Sequence, residues 1–259
     1  MVELQKVNEA LNNYIRPQTF PVAVKMVSSA SEIPEKARMP KRDLGLTMPV
    51  CQGIALARRL GWLMAMGEED MLCPLGTLTL GLVPAKKKFL DGSFNVPFWV
   101  ESQEVRAKMN QSLPRLEYGR HSHVVLAPLH RAGFEPQVII VYGNPAQISR
   151  LIQSAVSATG EPVVSSSGGG FACGAEITVP ILTDQCQFTV VGGGDRAIAQ
   201  TQDHEVAFSV PASKVEAVVR GLEDTHKAGL RYPTTSFLMY QAQFPPAFGE
   251  LMDYLRQSD

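Results

Sequence analysis

Apolar positions recur along the chain in short, changing periods. Leu4, Val7, Leu11 and Ile15 are spaced by threes and fours, which predicts an amphipathic helix over residues 3–16. The Val-rich run 20–27 predicts a strand, and the charged stretch 28–43 an exposed loop or short helical turn. Thr47 offers an N-cap and Pro49 a first-turn residue for a helix running to about residue 66. The apolar run 78–83 fits no single type, and a helix is expected over 102–111. The second half alternates more cleanly. Residues 123–128 and 138–142 predict strands, and Asn144-Pro145 opens a helix to about residue 159. Further strands are expected at 162–165, 187–191 and 205–210, and helices at 213–227 and 246–257. Residues 172–182 predict a short helix disturbed by Pro180. Elements in this irregular order place the fold in α/β or α+β, a mixed sheet with flanking helices. No linker composition interrupts the chain. A single domain over 1–259 is expected, with two intertwined halves (about 1–118 and 119–259) as the alternative division.

Composition narrows the function classes. Lys and Arg total 24 against 25 Asp and Glu, a net charge of −1. So even a balance argues against a nucleic-acid partner, which needs a basic footprint. The N-terminus carries no signal-like apolar stretch, and no run reaches the roughly 18 apolar residues of a membrane span. The most apolar helical stretch, 54–66, has Arg58 and Arg59 in its middle. A cytoplasmic chain with no membrane partner is the expectation. In that compartment the four cysteines are packed thiols, reactive thiols or metal ligands rather than disulfides.

The settings of the cysteines differ. Cys51 falls in the first turn of the helix opened near Thr47, and Cys73 precedes Pro74 as an N-cap residue would. Cys173 follows the loop at 168–170 and precedes a short helix. Free N–H groups and the helix dipole favour a thiolate at such positions. Thiolates are what zinc and iron–sulfur clusters take. Cys186 has only a strand start for a setting. No C-x-x-C pair occurs, which excludes zinc-ribbon and thioredoxin motifs.

Other chemistry-bearing positions are fewer. Residues 192–197 fit G-x-G-x-x-A after a strand, but the long helix of a dinucleotide site is missing. Residues 168–170 are a turn or a backbone anion nest. Gly193 and Arg196 are candidates for binding a carboxylate or phosphate, Arg196 through its fork. Lys25 lies among apolar strand neighbours and could hold an anion or snorkel to water. Gln52, beside Cys51, could donate to a ligand or to the helix end. His121 and His123 share a strand face without a third ligand nearby.

Several short strings, in order, carry a family resemblance. They are Phe20-Pro21-Val22-Ala23-Val24-Lys25, Cys51-Gln52 before an Ala/Arg helix, Glu69-Asp70 with Cys73, and Gly81. Ala172-Cys173-Gly174, Gly193-Gly194-Asp195-Arg196 and Val210-Pro211 follow. From about residue 10 to 225 the chain resembles the domain of unknown function 169 family, which is uncharacterised. The resemblance implies that Cys51, Cys73 and Cys173 occupy family positions and leaves Cys186 aside. Three such cysteines at unlike spacings look like one site assembled by folding. The leading expectation is therefore a [4Fe–4S] cluster on Cys51, Cys73 and Cys173, with zinc as the alternative metal. An open iron would take a small anionic or sulfur-bearing ligand, oriented by Lys25 and Arg196. Two other readings stand beside it. One is a small-anion-binding module without catalysis, its cysteines merely packed. The other is an enzyme with Cys51 as nucleophile.

Overall fold

A computed structural model describes residues 3–94, 100–167, 171–234 and 244–257. The anion-nest reading of residues 168–170 lies outside the described residues. The strands are β1 (Val22–Val27), β2 (Met64–Gly67), β3 (His123–Pro128), β4 (Val138–Gly143), β5 (Gln187–Thr189) and β6 (Val206–Pro211). The helices are α1 (Leu4–Tyr14), α2 (Val50–Leu60), α3 (Pro74–Thr79), α4 (Lys87–Leu90) and α5 (Gln103–Ser112). They continue with α6 (Pro145–Thr159), α7 (Val179–Thr183), α8 (Gly193–Ile198), α9 (Val215–Lys227) and α10 (Pro246–Leu255).

The strands form one sheet in the order β2-β3-β1-β4-β6-β5. Every strand pairing is antiparallel, so of the two expected classes the fold is α+β. β1 sits between β3 and β4, which ties residues from before 118 and after 119 into the same sheet.

Alternation along the strands divides the core into two faces. Val22, Val24 and Met26 pack with Ile54 of α2 and with Ala172 and Ile177. Ala23, Ile139 and Val141 face the other way, onto Leu11 of α1, Leu151 of α6 and Leu222 of α9. Each fully buried Val, Leu, Ile or Met among them contributes roughly 1.5–3 kcal/mol. α6 follows its cap logic closely. The Asn144 side chain accepts from the Gln147 N–H at 2.9 Å, and Gln147 returns a bond to the Asn144 N–H at 2.8 Å.

Two expectations need correction, and the run 78–83, left open, acquires a structure. The helix expected from Thr47 to about residue 66 starts after Pro49 and stops at Gly61. Gly61 adopts φ +71°, and the Trp62 N–H turns back to the Leu56 carbonyl at 3.2 Å. That turn frees the apolar residues Met64–Gly67 to become strand β2. Residues 162–165 form no strand, and Val164 stands 80% exposed, away from any strand partner. The run 78–83 is the end of α3 and a turn, with Gly81 at φ +70°.

Candidate functional site

The site grows from three helix starts. Cys51 is the second residue of α2. Gly53, two residues further, lets α2 lie directly on the sheet, because an added Cβ would collide with Met66 and Leu126. Cys73 is the N-cap residue of α3, and its carbonyl accepts from the Thr77 hydroxyl at 2.7 Å. Cys173 lies in the first turn of a helical stretch that runs through a π-helical turn, Gly174–Thr178, into α7. The Thr178 hydroxyl donates to the Thr79 carbonyl at 3.0 Å, which fastens that turn to the end of α3. Gly174 permits the contact, since a Cβ there would strike the Thr79 hydroxyl.

Cys73 and Cys173 therefore approach each other about Gly76, and half-buried Cys51 lies within electrostatic range of both. A Cβ placed on Gly76 would lie 3.7 Å from the Cys173 sulfur and 3.9 Å from the Cys73 Cβ. Glycine thus leaves a space between those two residues. Burial pushes the Cys51 thiol up to about 12, and Asp195, Cys73 and Glu176 add to the rise. A Gln52 backbone N–H works in the opposite direction. Cys173 is driven well above the usual thiol range, first by burial, then by Asp195, Cys73 and Cys51.

Two acids complete the spot. Glu176 is fully buried, and its Oε1 accepts from the Tyr142 hydroxyl at 2.9 Å. Burial and Asp195 raise its carboxyl well above the ordinary range. Burial likewise raises Asp195. Glu176 Oε2 and Asp195 Oδ1 are buried without a hydrogen-bond partner. The nearby cations are Arg196, whose charge acts on Asp195, and Arg58, whose guanidinium stacks 4.0 Å over the Tyr142 ring. The Arg58 fork is already taken by Glu205, at 2.8 and 3.1 Å. Groups able to carry negative charge thus outnumber free positive charge, and two of them hold unused acceptor atoms. In the chain itself, burial relieves that charge by raising both acids and the Cys51 and Cys173 thiols toward their protonated forms.

The other expected site residues do not all converge. Gln52 spends its amide on the Ile198 carbonyl at 3.0 Å, tying α2 to the end of α8. Gly193 opens α8, with open space where its Cβ would stand. The Arg196 fork donates to the Gln202 and Glu205 backbone carbonyls, which leaves it turned to its own loop. Lys25 alternates with Val24 and Met26, so it lies on the sheet face opposite the cysteines. Cys186 also belongs to that opposite face, packed with Phe208 and Val218. Among the described residues, no three His, Cys, Asp or Glu side chains stand close enough to hold a single metal ion.

Tyr142, Glu176, Asp195 and the Arg58–Glu205 pair were not singled out from sequence as site residues. One signal was available for Glu176, the single charged residue between Phe171 and Leu182.

A family model matches residues 10–221. It is DUF169, described as uncharacterised ArCR, COG2043. The chain belongs to this family. All three converging cysteines of this DUF169 protein, and both buried acids, fall inside the matched span. No curated protein and no solved structure matches the chain. Among the described residues no helix is long and apolar enough to cross a membrane.

Proposed function

We propose that this DUF169 chain is an iron–sulfur protein whose Cys51, Cys73 and Cys173 hold a [4Fe–4S] cluster. The observation that supports it is the approach of three helix-start cysteines, distant in sequence, to one half-buried, acid-rich spot. A cluster spaces its thiolates more widely than one ion does, because each sulfur binds a different iron. The absence of a tight single-ion group among the described residues is compatible with that spacing.

The raised thiol pKa values are properties of the chain without a cation. Metal binding replaces the thiol protons, so the cysteines release protons as the site fills. Backbone N–H groups at the three helix starts favour the resulting sulfur charge. Cys186 sits across the sheet and is no fourth ligand, which leaves one iron open. When bound, the cluster would supply that iron as a Lewis acid for a small anionic or sulfur-bearing ligand. Asp195 and Glu176, whose carboxyls burial raises toward the protonated form, would stand beside it. Arg58 and Tyr142 hold Glu176 in place from behind.

The burial that lifts Cys51 to about 12 works against its use as a nucleophile, which needs the thiolate near neutral pH. Iron and acid-labile sulfide, measured on protein purified or reconstituted without oxygen, test the reading. About four of each per chain are expected. Ser in place of Cys51, Cys73 or Cys173 should lower iron sharply, and Cys186→Ser should not. A reconstituted chain without stoichiometric iron and sulfide would overturn the proposal.

A further inference from the structure

Beside Cys73 lies a groove of about 670 Å³ that the cluster reading does not use. That volume is within the range of about 300–1,000 Å³ typical of small-molecule sites. Leu75, Leu78, Val83 and Phe89 give it apolar walls, and Phe94 stands beside them 58% exposed. The same groove is bordered by Lys86, Lys87 and Lys88, three consecutive exposed cations. Among the described residues none of the three takes part in an ion pair. Asp91 is near Lys87 and Lys88, but its carboxylate accepts from the Ser93 N–H at 2.9 Å.

From this juxtaposition we infer that the groove binds a small amphiphilic acid, its apolar body on Leu75, Val83 and Phe94 and its carboxylate or phosphate at Lys86–Lys88. Apolar walls alone would select no charge. The lysines favour an anion over a cation of the same shape, which is how charge supplies specificity at an otherwise greasy site. Cys73 forms part of the groove wall, so the ligand's body comes to rest against the thiol site. Binding needs only the groove. Its link to the chemistry at Cys73 rests on the cluster reading.

The test is calorimetric titration of the full chain with dodecanoate, kept below its micelle concentration, with iron measured on the same sample. Saturable binding of one dodecanoate per chain is expected, with dodecyltrimethylammonium failing to bind. Replacing Lys86, Lys87 and Lys88 together by Ala should weaken dodecanoate by about tenfold or more. These side chains are exposed, so folding is not at stake. Phe94→Glu should weaken it as well, by placing a carboxylate beside the apolar body. The inference is overturned by any of three outcomes: no saturable binding, equal binding of the cationic amphiphile, or full affinity in the triple-alanine variant. Loss of binding on removing residues 244–257, whose helix also exposes Phe248 and Leu251, would overturn it too. The two proposals fail separately. An iron-free chain that still binds dodecanoate sinks only the cluster, and an iron-loaded chain that does not bind it sinks only the groove.

Discussion

The two faces of the sheet are built in different ways. On one, α1, α6 and α9 are full-length amphipathic helices over aliphatic strand residues and Phe208. On the other, the cysteine-bearing segments are the start of α2, the six-residue α3 and a π-helical turn. Buried Arg58, Glu205, Glu176 and Asp195 gather on that side. Long regular helices satisfy their own backbone and need only an apolar stripe. Short interrupted ones leave helix ends inside the protein, where N–H groups and titratable side chains can be aimed at a guest. Both faces carry a large hydrophobic core, but only the second interrupts its helices around thiols and buried charges.

The largest effects should come from breaking one face at a time. Phe208→Ala removes a fully buried ring from the helical face and should cost about 3–5 kcal/mol in chemical denaturation. Iron per folded chain should stay as in the wild type. Arg58→Leu leaves Glu205 buried without its main partner and should cost a similar amount, about 3–5 kcal/mol. That variant also withdraws the cation behind Tyr142 and Glu176, so it should change iron uptake as well. If both variants lose iron equally once folded, the two faces are not separable.

The acids give the comparison a pH signature. Glu176 titrates above its ordinary value in the folded chain, so the folded state holds its proton longer than the unfolded one. Its contribution is full below the ordinary carboxylate range and is lost as pH rises toward the folded value. The loss runs at up to about 1.4 kcal/mol per pH unit for one such group. Glu205 has the opposite sign. Burial pushes it up, but the bonds from Arg58 and from the Gln202 N–H prevail and hold it below the ordinary value. Its contribution is present at neutral pH and disappears in acid. Glu176→Gln keeps an acceptor for Tyr142 and cannot ionise. Unfolding curves of the iron-free chain between pH 5 and 7 should therefore decline less steeply in the variant. Identical slopes would mean that Glu176 titrates normally.

A smaller effect belongs to the helical face. Asn144→Ala removes the cap of α6 and should cost about 1 kcal/mol, with iron unaffected. That cap was also among the most legible features of the sequence. Asn144-Pro145 marks the start of α6, its end falls at the expected Thr159, and the 3.6 period of α1 survives into the buried Val7 and Leu11. Strand β3 matches its expected bounds because its flanks change character abruptly.

The boundary between α2 and β2 was not legible, because residues 54–66, Arg58 and Arg59 apart, are apolar on both sides of a single left-handed glycine. At the site, the helix-start character of Cys51 and Cys73 could be read from the prolines beside them. The placement of Lys25 could not, since its face depends on which side of the sheet receives α2. Glu176 and Asp195 were hidden for a related reason. An acid in sequence reads as solvated until the fold shows that its neighbours exclude water.

The smallest change in stability should carry the sharpest information. Gly76 is the third residue of α3, where Ala would be favoured as a helix former by roughly 0.5–1 kcal/mol. Against that gain, the new Cβ would meet Val50 Cγ1 at 3.3 Å, a contact that asks its neighbour to give slightly. The two effects nearly offset, so Gly76→Ala should unfold within about 1 kcal/mol of the wild type. The same methyl would occupy the space between Cys73 and the Cys173 sulfur. If a cluster lies there, reconstituted iron should fall severalfold in a chain that is otherwise as stable as before. Phe208→Ala should do the reverse, losing stability and keeping iron. Undiminished iron in Gly76→Ala would place any cluster away from this gap and would remove the physical basis for the glycine at that position.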